Sequence, residues 1–230
     1  MKLDDGIDTI TKFFNDLIGA LVPGLVLAIG LAAMHGGPGH IKLIGGLGEG
    51  AATAFTLTGV LFALGHLLLA IHEIAVKPLL RKLKITRAFD EQKASARQSC
   101  VMFNELITPG SNSSKPVWDY RDLRSVALSV SDEAASLGRR FMFISLLCNG
   151  VGTALLLVGL NYLICLLFFP GLLFIYDQAA PWWLQVVLLF SAAYFLFKQA
   201  DLFYERAMTT PFSVAVAELK FKRNHNASNP

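Results

Sequence analysis

Charged side chains are scarce. Asp, Glu, Lys and Arg make up 16% of the chain, where a soluble domain carries nearer ~25%. Basic residues are almost missing from two stretches: Lys42 stands alone between His35 and Gly50, and Tyr176–Pro181 has none. Cysteine is confined to Cys100, Cys148 and Cys165. An odd number without metal-ligand spacing excludes a disulfide framework and a zinc site, and the three read as small hydrophobes in packed helices. There is no Ser/His/Asp arrangement, no His-rich ligand set and no pair of carboxylates in a pocket context. Gly36-Gly37-Pro38-Gly39 and Gly45-Gly46-Leu47-Gly48 follow no strand and carry no phosphate-binding lysine, so they read as flexible loop. No catalytic residue, metal or cofactor is expected, and the chain is not read as an enzyme. A cleavable signal peptide is not expected either, because the chain opens on Asp4, Asp5 and Asp8 ahead of its first apolar run.

What the chain does have is apolar length. Hydrophobic residues reach 54%, gathered in long runs. All 12 basic residues between Lys77 and Arg140 lie in one central segment and seven more lie in the two tails, leaving Lys42 alone among the 20. That division predicts a polytopic membrane protein with both termini and the central segment in the cytoplasm. The predicted class is an all-α integral membrane protein of about four transmembrane helices, with a helical cytoplasmic insert between spans two and three. A three-span version with a re-entrant first segment is the alternative.

The organisation divides into five parts. Residues 1–16 form an amphipathic interfacial helix, with Leu3, Ile7, Ile10, Phe13 and Phe14 at helical spacing. Residues 17–76 form a first transmembrane hairpin. Its first span is kinked at Pro23-Gly24, and the glycine-rich stretch from His35 to Gly50 is read as an exterior or re-entrant loop. Residues 77–140 form the insert, with helical patterns over 79–107 and 118–139 and a loop from Thr108 to Pro116. Residues 141–197 form the second hairpin. Its first apolar run, Phe141–Phe169, would measure roughly 43 Å as helix, so tilt or a break near Asn149-Gly150 is expected. Tyr176, Trp182 and Trp183 suit an interfacial belt. Residues 198–230 form a cytoplasmic tail of one or two amphipathic helices, broken near Pro211 and frayed over its last nine residues. The sequons at Asn112 and Asn226 fall on the cytoplasmic side and are discounted.

Polar groups inside spans mark candidate sites, because they cost several kcal/mol in hydrocarbon unless protein or water covers them. At about 100° per residue, Thr58, His66 and Glu73 share one face of the second span, together with Phe55, Phe62 and Leu69. That face is expected to point inward. Pore or gate lining competes there with an ordinary interhelical hydrogen bond. In the third span Ser145, Asn149, Gly152 and Thr153 form a small polar face, suited to close helix packing, with Asn149 and Thr153 as gate candidates. Asn161 lies off that face and needs its own partner. Lys198, Asp201, Glu205 and Arg206 read as a mixed-charge helix face, either solvated or at a subunit interface. Lys77, Arg81, Lys82, Lys84 and Arg87 lie within eleven residues. Topology and anionic lipid explain them, and a polyanion-binding site is the competing reading.

The opening residues Phe13-Phe14-Asn15-Asp16-Leu17-Ile18 and Leu21-Val22-Pro23-Gly24-Leu25-Val26-Leu27 resemble the first membrane segment of small proteins from bacterial anti-phage defence operons, often encoded beside nucleotidyltransferases. The Hailong-type membrane effector is similar in size and layout. The resemblance covers roughly the first 35 residues and the general plan, and carries over Pro23-Gly24 alone. It implies a multi-pass protein of the bacterial inner membrane: an oligomeric ion channel that depolarises the infected cell, restrained by the nucleotide or DNA oligomer product of a nucleotidyltransferase partner.

The function expected is therefore a gated ion-conducting or membrane-permeabilising effector. Its partners are the lipid bilayer and other copies of itself, with a tetramer as one stoichiometry. A non-conducting membrane anchor or assembly subunit for a cytoplasmic partner is the main alternative, and a small transporter a further one.

Overall fold

The computed structural model describes residues 3–46, 50–108, 118–174 and 181–228, with backbone alone for 3–16, 41, 43–45 and 223–228. Among these residues there are helices and turns but no strand. Helix α1 spans Leu3–Gly46, α2 Ala51–Ile71, α3 Lys77–Lys82, α4 Glu91–Ser95, α5 Gln98–Ile107, α6 Tyr120–Val130, α7 Asp132–Phe168 and α8 Trp182–Ser228. Four helices are long and apolar enough to cross a membrane, over Leu17–His40, Ala51–Lys82, Asp132–Phe168 and Trp182–Lys222.

The chain divides into two compact units. One comprises Met1–Arg87 with Phe143–Ala200, the other Ala88–Met142 with Asp201–Pro230. The first 11 residues of the anticipated insert, 77–87, thus belong with the spans. The rest of the insert folds with the C-terminal tail, a pairing that local periodicity cannot reveal.

In the first unit, α1 and α2 approach closely through Ala20-x3-Gly24 and Leu61-x3-Gly65. A Cβ on Gly24 would lie 2.0 Å from the Leu61 carbonyl oxygen, and one on Gly65 would lie 1.7 Å from that of Ala20. Only glycine permits this contact, and in a membrane such close backbone approach supplies the packing that hydrophobic exclusion cannot. Pro23 lies against Gly150 of α7, where a Cβ would come within 2.6 Å of the proline ring. Leu27, Leu68, Ala154 and Val158 form the core beside this crossing.

In the second unit, Phe103, Tyr120, Leu123, Ala127, Met208, Phe212 and Ala215 are buried together. Tyr120, Leu123 and Ala127 occupy one face of α6 at the helical period. Asp90 caps α4, its Oδ1 accepting from the Lys93 amide at 2.9 Å. Ser131 caps α7 in the same way, accepting from Ala134 at 3.1 Å.

Several expectations are corrected. The stretch from His35 is helical as far as Gly46, not loop, with the backbone leaving helical dihedrals within it at Gly37, φ 63°. Glycine tolerates that left-handed value. The interfacial helix is not separate but the start of α1. The insert is not a simple hairpin. The pattern over 79–107 breaks into α3, α4 and α5, and 118–139 breaks at Ser131, extended at φ −133° and ψ 115°. Ser131-Asp132-Glu133 is a cap followed by acids, a helix start that the sequence displays. Helix α7 has no break at Asn149-Gly150, and α8 is not interrupted at Pro211 and continues to Ser228. The loop 109–117, Tyr176 and Asn112 lie outside the described residues.

Candidate functional site

The polar centre of the spans sits where α2 ends. His72–Val76 form a π-helical turn, with the Lys77 amide donating to the His72 carbonyl. Pro78 follows at the start of α3 and has no N–H to give. Such single π turns re-aim a side chain and recur at functional sites. His72 is the turn's first residue; it continues the buried face of Leu61, Gly65 and Leu68 and is 4% exposed. Its Nδ1 lies 3.0 Å from Thr153 Oγ1 on α7, and its ring stacks on Phe197 of α8 at 5.6 Å. Thr153 is fully buried, and its hydroxyl donates to the Asn149 carbonyl at 2.8 Å. With that single proton used, Nδ1 of His72 is the donor to Thr153. One polar node therefore joins three membrane-spanning helices.

The small face of α7 packs as its composition predicts. Ser145 Oγ donates to the Ala200 carbonyl at 2.9 Å, and a Cβ on Gly152 would meet the Phe197 ring at 2.9 Å. Asn149 is half-buried. Asn161 finds its partner in His35: Asn161 Nδ2 lies 2.8 Å from Nε2, and His35 Nδ1 lies 2.9 Å from the Leu172 carbonyl. The carbonyl can only accept, so Nδ1 donates and Nε2 receives the amide proton. Beside it, the Phe174 amide donates to the Met34 carbonyl at 2.8 Å. That carbonyl is the one Pro38, four residues on, cannot serve.

The α2 face anticipated to turn inward is not covered by the protomer's own helices. Thr58, His66 and Glu73 are all exposed on the protomer. Thr58 donates to the Ala54 carbonyl at 2.8 Å, the usual way a hydroxyl satisfies itself in a membrane helix. His66 meets the edge of Phe62 at 4.5 Å, and Glu73 pairs with Lys77. The structure thus brings Asn149 and Thr153 together, leaves Thr58, His66 and Glu73 apart from them, and supplies His72 instead. Sequence reasoning passed over His72, taking it as part of the helix running on beyond the span, although it continues the buried series Leu61, Gly65 and Leu68 at spacings of four, three and four. That spacing was the available signal.

The basic cluster lies on and after α3. Arg81, Lys82, Lys84 and Arg87 are exposed, and Lys77 is half-buried beside Glu73. Lys84 occupies a left-handed position, φ 57°, in a helix-ending turn whose Ile85 amide donates to the Leu80 carbonyl at 2.9 Å. The residues after the fourth span divide. Lys198 lies over the Tyr194 ring, Arg206 over Phe203, and Glu205 pairs with Arg97 of the second unit. Among the described residues no cluster of His, Cys, Asp and Glu could hold a metal ion. Compared with known protein families, curated proteins and solved structures, the chain matches none.

Proposed function

We propose that this chain is the subunit of a gated, ion-conducting membrane effector, assembled from copies of itself and controlled from the cytoplasm. The observation that carries this reading is the buried node His72–Thr153–Asn149. A passive anchor needs apolar spans only. A histidine buried at the end of one span, hydrogen-bonded to a second and stacked on a third, is an arrangement whose loss would release three helices at once. Burial of such a polar group is retained where it serves a switch or pathway. The anti-phage role, the bacterial inner membrane, the cytoplasmic termini and a nucleotide or DNA oligomer as controlling ligand follow the resemblance of the first segment and the bias of basic residues. The exposed cations Arg81, Lys82 and Lys84 are the candidate contact for that ligand, directly after the node along the chain.

Purified protein in planar bilayers is expected to carry current, and expression in cells to depolarise the membrane. Intact, assembled protein that carries no current and leaves the membrane potential unchanged would reject the reading. That result would leave the anchor, which the compact unit formed by Ala88–Met142 and Asp201–Pro230 favours as a docking body.

A further inference from the structure

Helix α2 presents two unlike faces. Leu61, Gly65, Leu68 and His72 are buried within the protomer. On the other side Thr56, Gly59, Ala63, His66, Ala70 and Glu73 alternate at spacings of three and four, and every one is exposed. At about 100° per residue they fall in a strip about 100° wide. A lipid-facing strip is expected to be rich in bulky apolar side chains; Phe55, 85% exposed, lies on this one at its far end, and from Thr56 to Glu73 the strip is small and polar.

His66 decides what can cover it. Its ring touches Phe62 edge-on, and among the described residues no hydrogen bond meets its nitrogens. A neutral imidazole always carries an N–H, and leaving that donor unpaired in hydrocarbon costs several kcal/mol. His66 lies five residues inside the end of α2, about 8 Å along the axis. Protein or water must meet it. Nothing lies within 4 Å of where a Cβ on Gly59 would be, so the strip is open rather than filled by the protomer itself.

We infer that this strip lines the conduction path and is closed by the same strip on other copies of the chain, an inference resting on the channel reading above. Copies inserted with one topology run parallel, so residues of equal number meet at equal depth. Glu73 then faces Glu73, which disfavours a dry contact between two helices. Lys77 compensates it: each Lys77 ammonium pairs with its own Glu73, so a ring of copies brings charges of both signs to one level. Charged Glu73–Lys77 pairs and an unpaired imidazole both call for a hydrated axis. Gly59, Ala63 and Ala70 set its bore, His66 offers a donor within it, and Glu73 with Lys77 forms the charged mouth. Thr58 falls off the strip and has spent its hydroxyl on Ala54, while Asn149 and Thr153 belong to the internal node.

The test uses the full chain with its three cysteines replaced by alanine and single cysteines introduced, studied in native membranes. Under copper-phenanthroline oxidation, Ala63→Cys and Ala70→Cys are expected to form disulfide-linked dimers, and Leu68→Cys to remain monomeric. His66→Cys is expected to react with a water-soluble methanethiosulfonate. Each variant is first required to elute with the parent protein in detergent. Monomeric Ala63→Cys and Ala70→Cys, when Val187→Cys on α8 cross-links, would overturn the inference by moving the shared face. Cross-linked protein with an unreactive His66→Cys would overturn the hydrated path. Current recorded on the same samples separates the two claims. Current without cross-linking or labelling rejects the strip and keeps the channel. Cross-linked, labelled protein without current keeps the shared face between copies and rejects the channel.

Discussion

Arg124 donates from both Nε and Nη2 to the carbonyl of Ala207, at 3.2 and 3.1 Å. That carbonyl sits four residues before Pro211, which lacks the amide that would complete the helix. A proline inside α8 is therefore tolerated because a guanidinium from α6 replaces the missing donor. Burial pulls Arg124 below its ordinary pKa, yet it stays charged at any physiological pH. Removing the fork leaves a carbonyl without its partner, so Arg124→Ala is expected to destabilise the second unit by about 1.5–3 kcal/mol. Arg124→Lys keeps one donor and is expected to lose less. Thermal unfolding of the two variants in detergent checks the order.

The α1–α2 crossing makes a sharper demand. A methyl group on Gly65 or Gly24 would overlap backbone oxygen, which no rotamer relieves. Gly65→Ala and Gly24→Ala are expected to push the helices apart and to lose several kcal/mol, consistent with overpacking where backbone must move. Gly171→Ala, with open space around it, is expected to behave as the parent. Yield and melting temperature of the membrane-extracted protein distinguish the three.

The node lends itself to a double-mutant cycle. Thr153→Val leaves the His72 N–H unpaired and is expected to destabilise by about 1–3 kcal/mol. His72→Phe keeps the stacking on Phe197 but leaves the Thr153 oxygen one partner short. The double variant removes both, so its loss is expected to fall below the sum of the singles. Strict additivity in unfolding midpoints would mean the contact is not a coupled pair.

Cys100 is 3% exposed, and burial raises its thiol above the ordinary value. The thiolate is the reactive form, and a raised pKa keeps that form scarce at neutral pH, returning it only as pH climbs past the shifted value. Maleimide labelling of Cys100 at pH 7 is therefore expected to be slow in the folded protein. Phe212→Ala, which opens the core around it, is expected to speed labelling severalfold. Fast labelling of the parent protein would contradict the packing.

Exchanging Arg81, Lys82 and Lys84 for Gln is expected to weaken binding of an anionic oligonucleotide without inverting the protein. The other basic residues keep the bias that sets orientation. Tags at Gly46 and Ser113 report orientation, and filter binding reports affinity. Unchanged binding with unchanged orientation would reduce the cluster to topology and lipid contact. Lys84 carries a further cost at φ 57°, a value glycine holds more easily, and Gln keeps it.

Much of the membrane architecture was legible because it rests on apolar length and side-chain size. The four long helices, the small packing face around Ser145 and Thr153, and a partner for Asn161 follow from such local signals. The burial of His72 was legible in the spacing it shares with Leu61, Gly65 and Leu68, but its partners Thr153 and Phe197 lie on other helices that no local pattern connects. That the protomer leaves His66 and Glu73 uncovered was not legible for a different reason: a shared helical angle groups residues but does not say which side the protomer covers. The union of insert and tail depends on contacts between residues roughly a hundred positions apart, such as Tyr120 Oη donating to the Met208 carbonyl at 2.9 Å. No window on the sequence spans that distance.

The bond from Phe174 to Met34 bears on how the chain is made. Ribosomes deliver α1 first, and its distal end then holds a carbonyl that Pro38 leaves bare. The donor is residue 174, past the third span, so the first helix cannot be finished when it enters the bilayer. A chain ending after α2 therefore keeps the Met34 carbonyl without the donor that the full chain supplies from beyond α7.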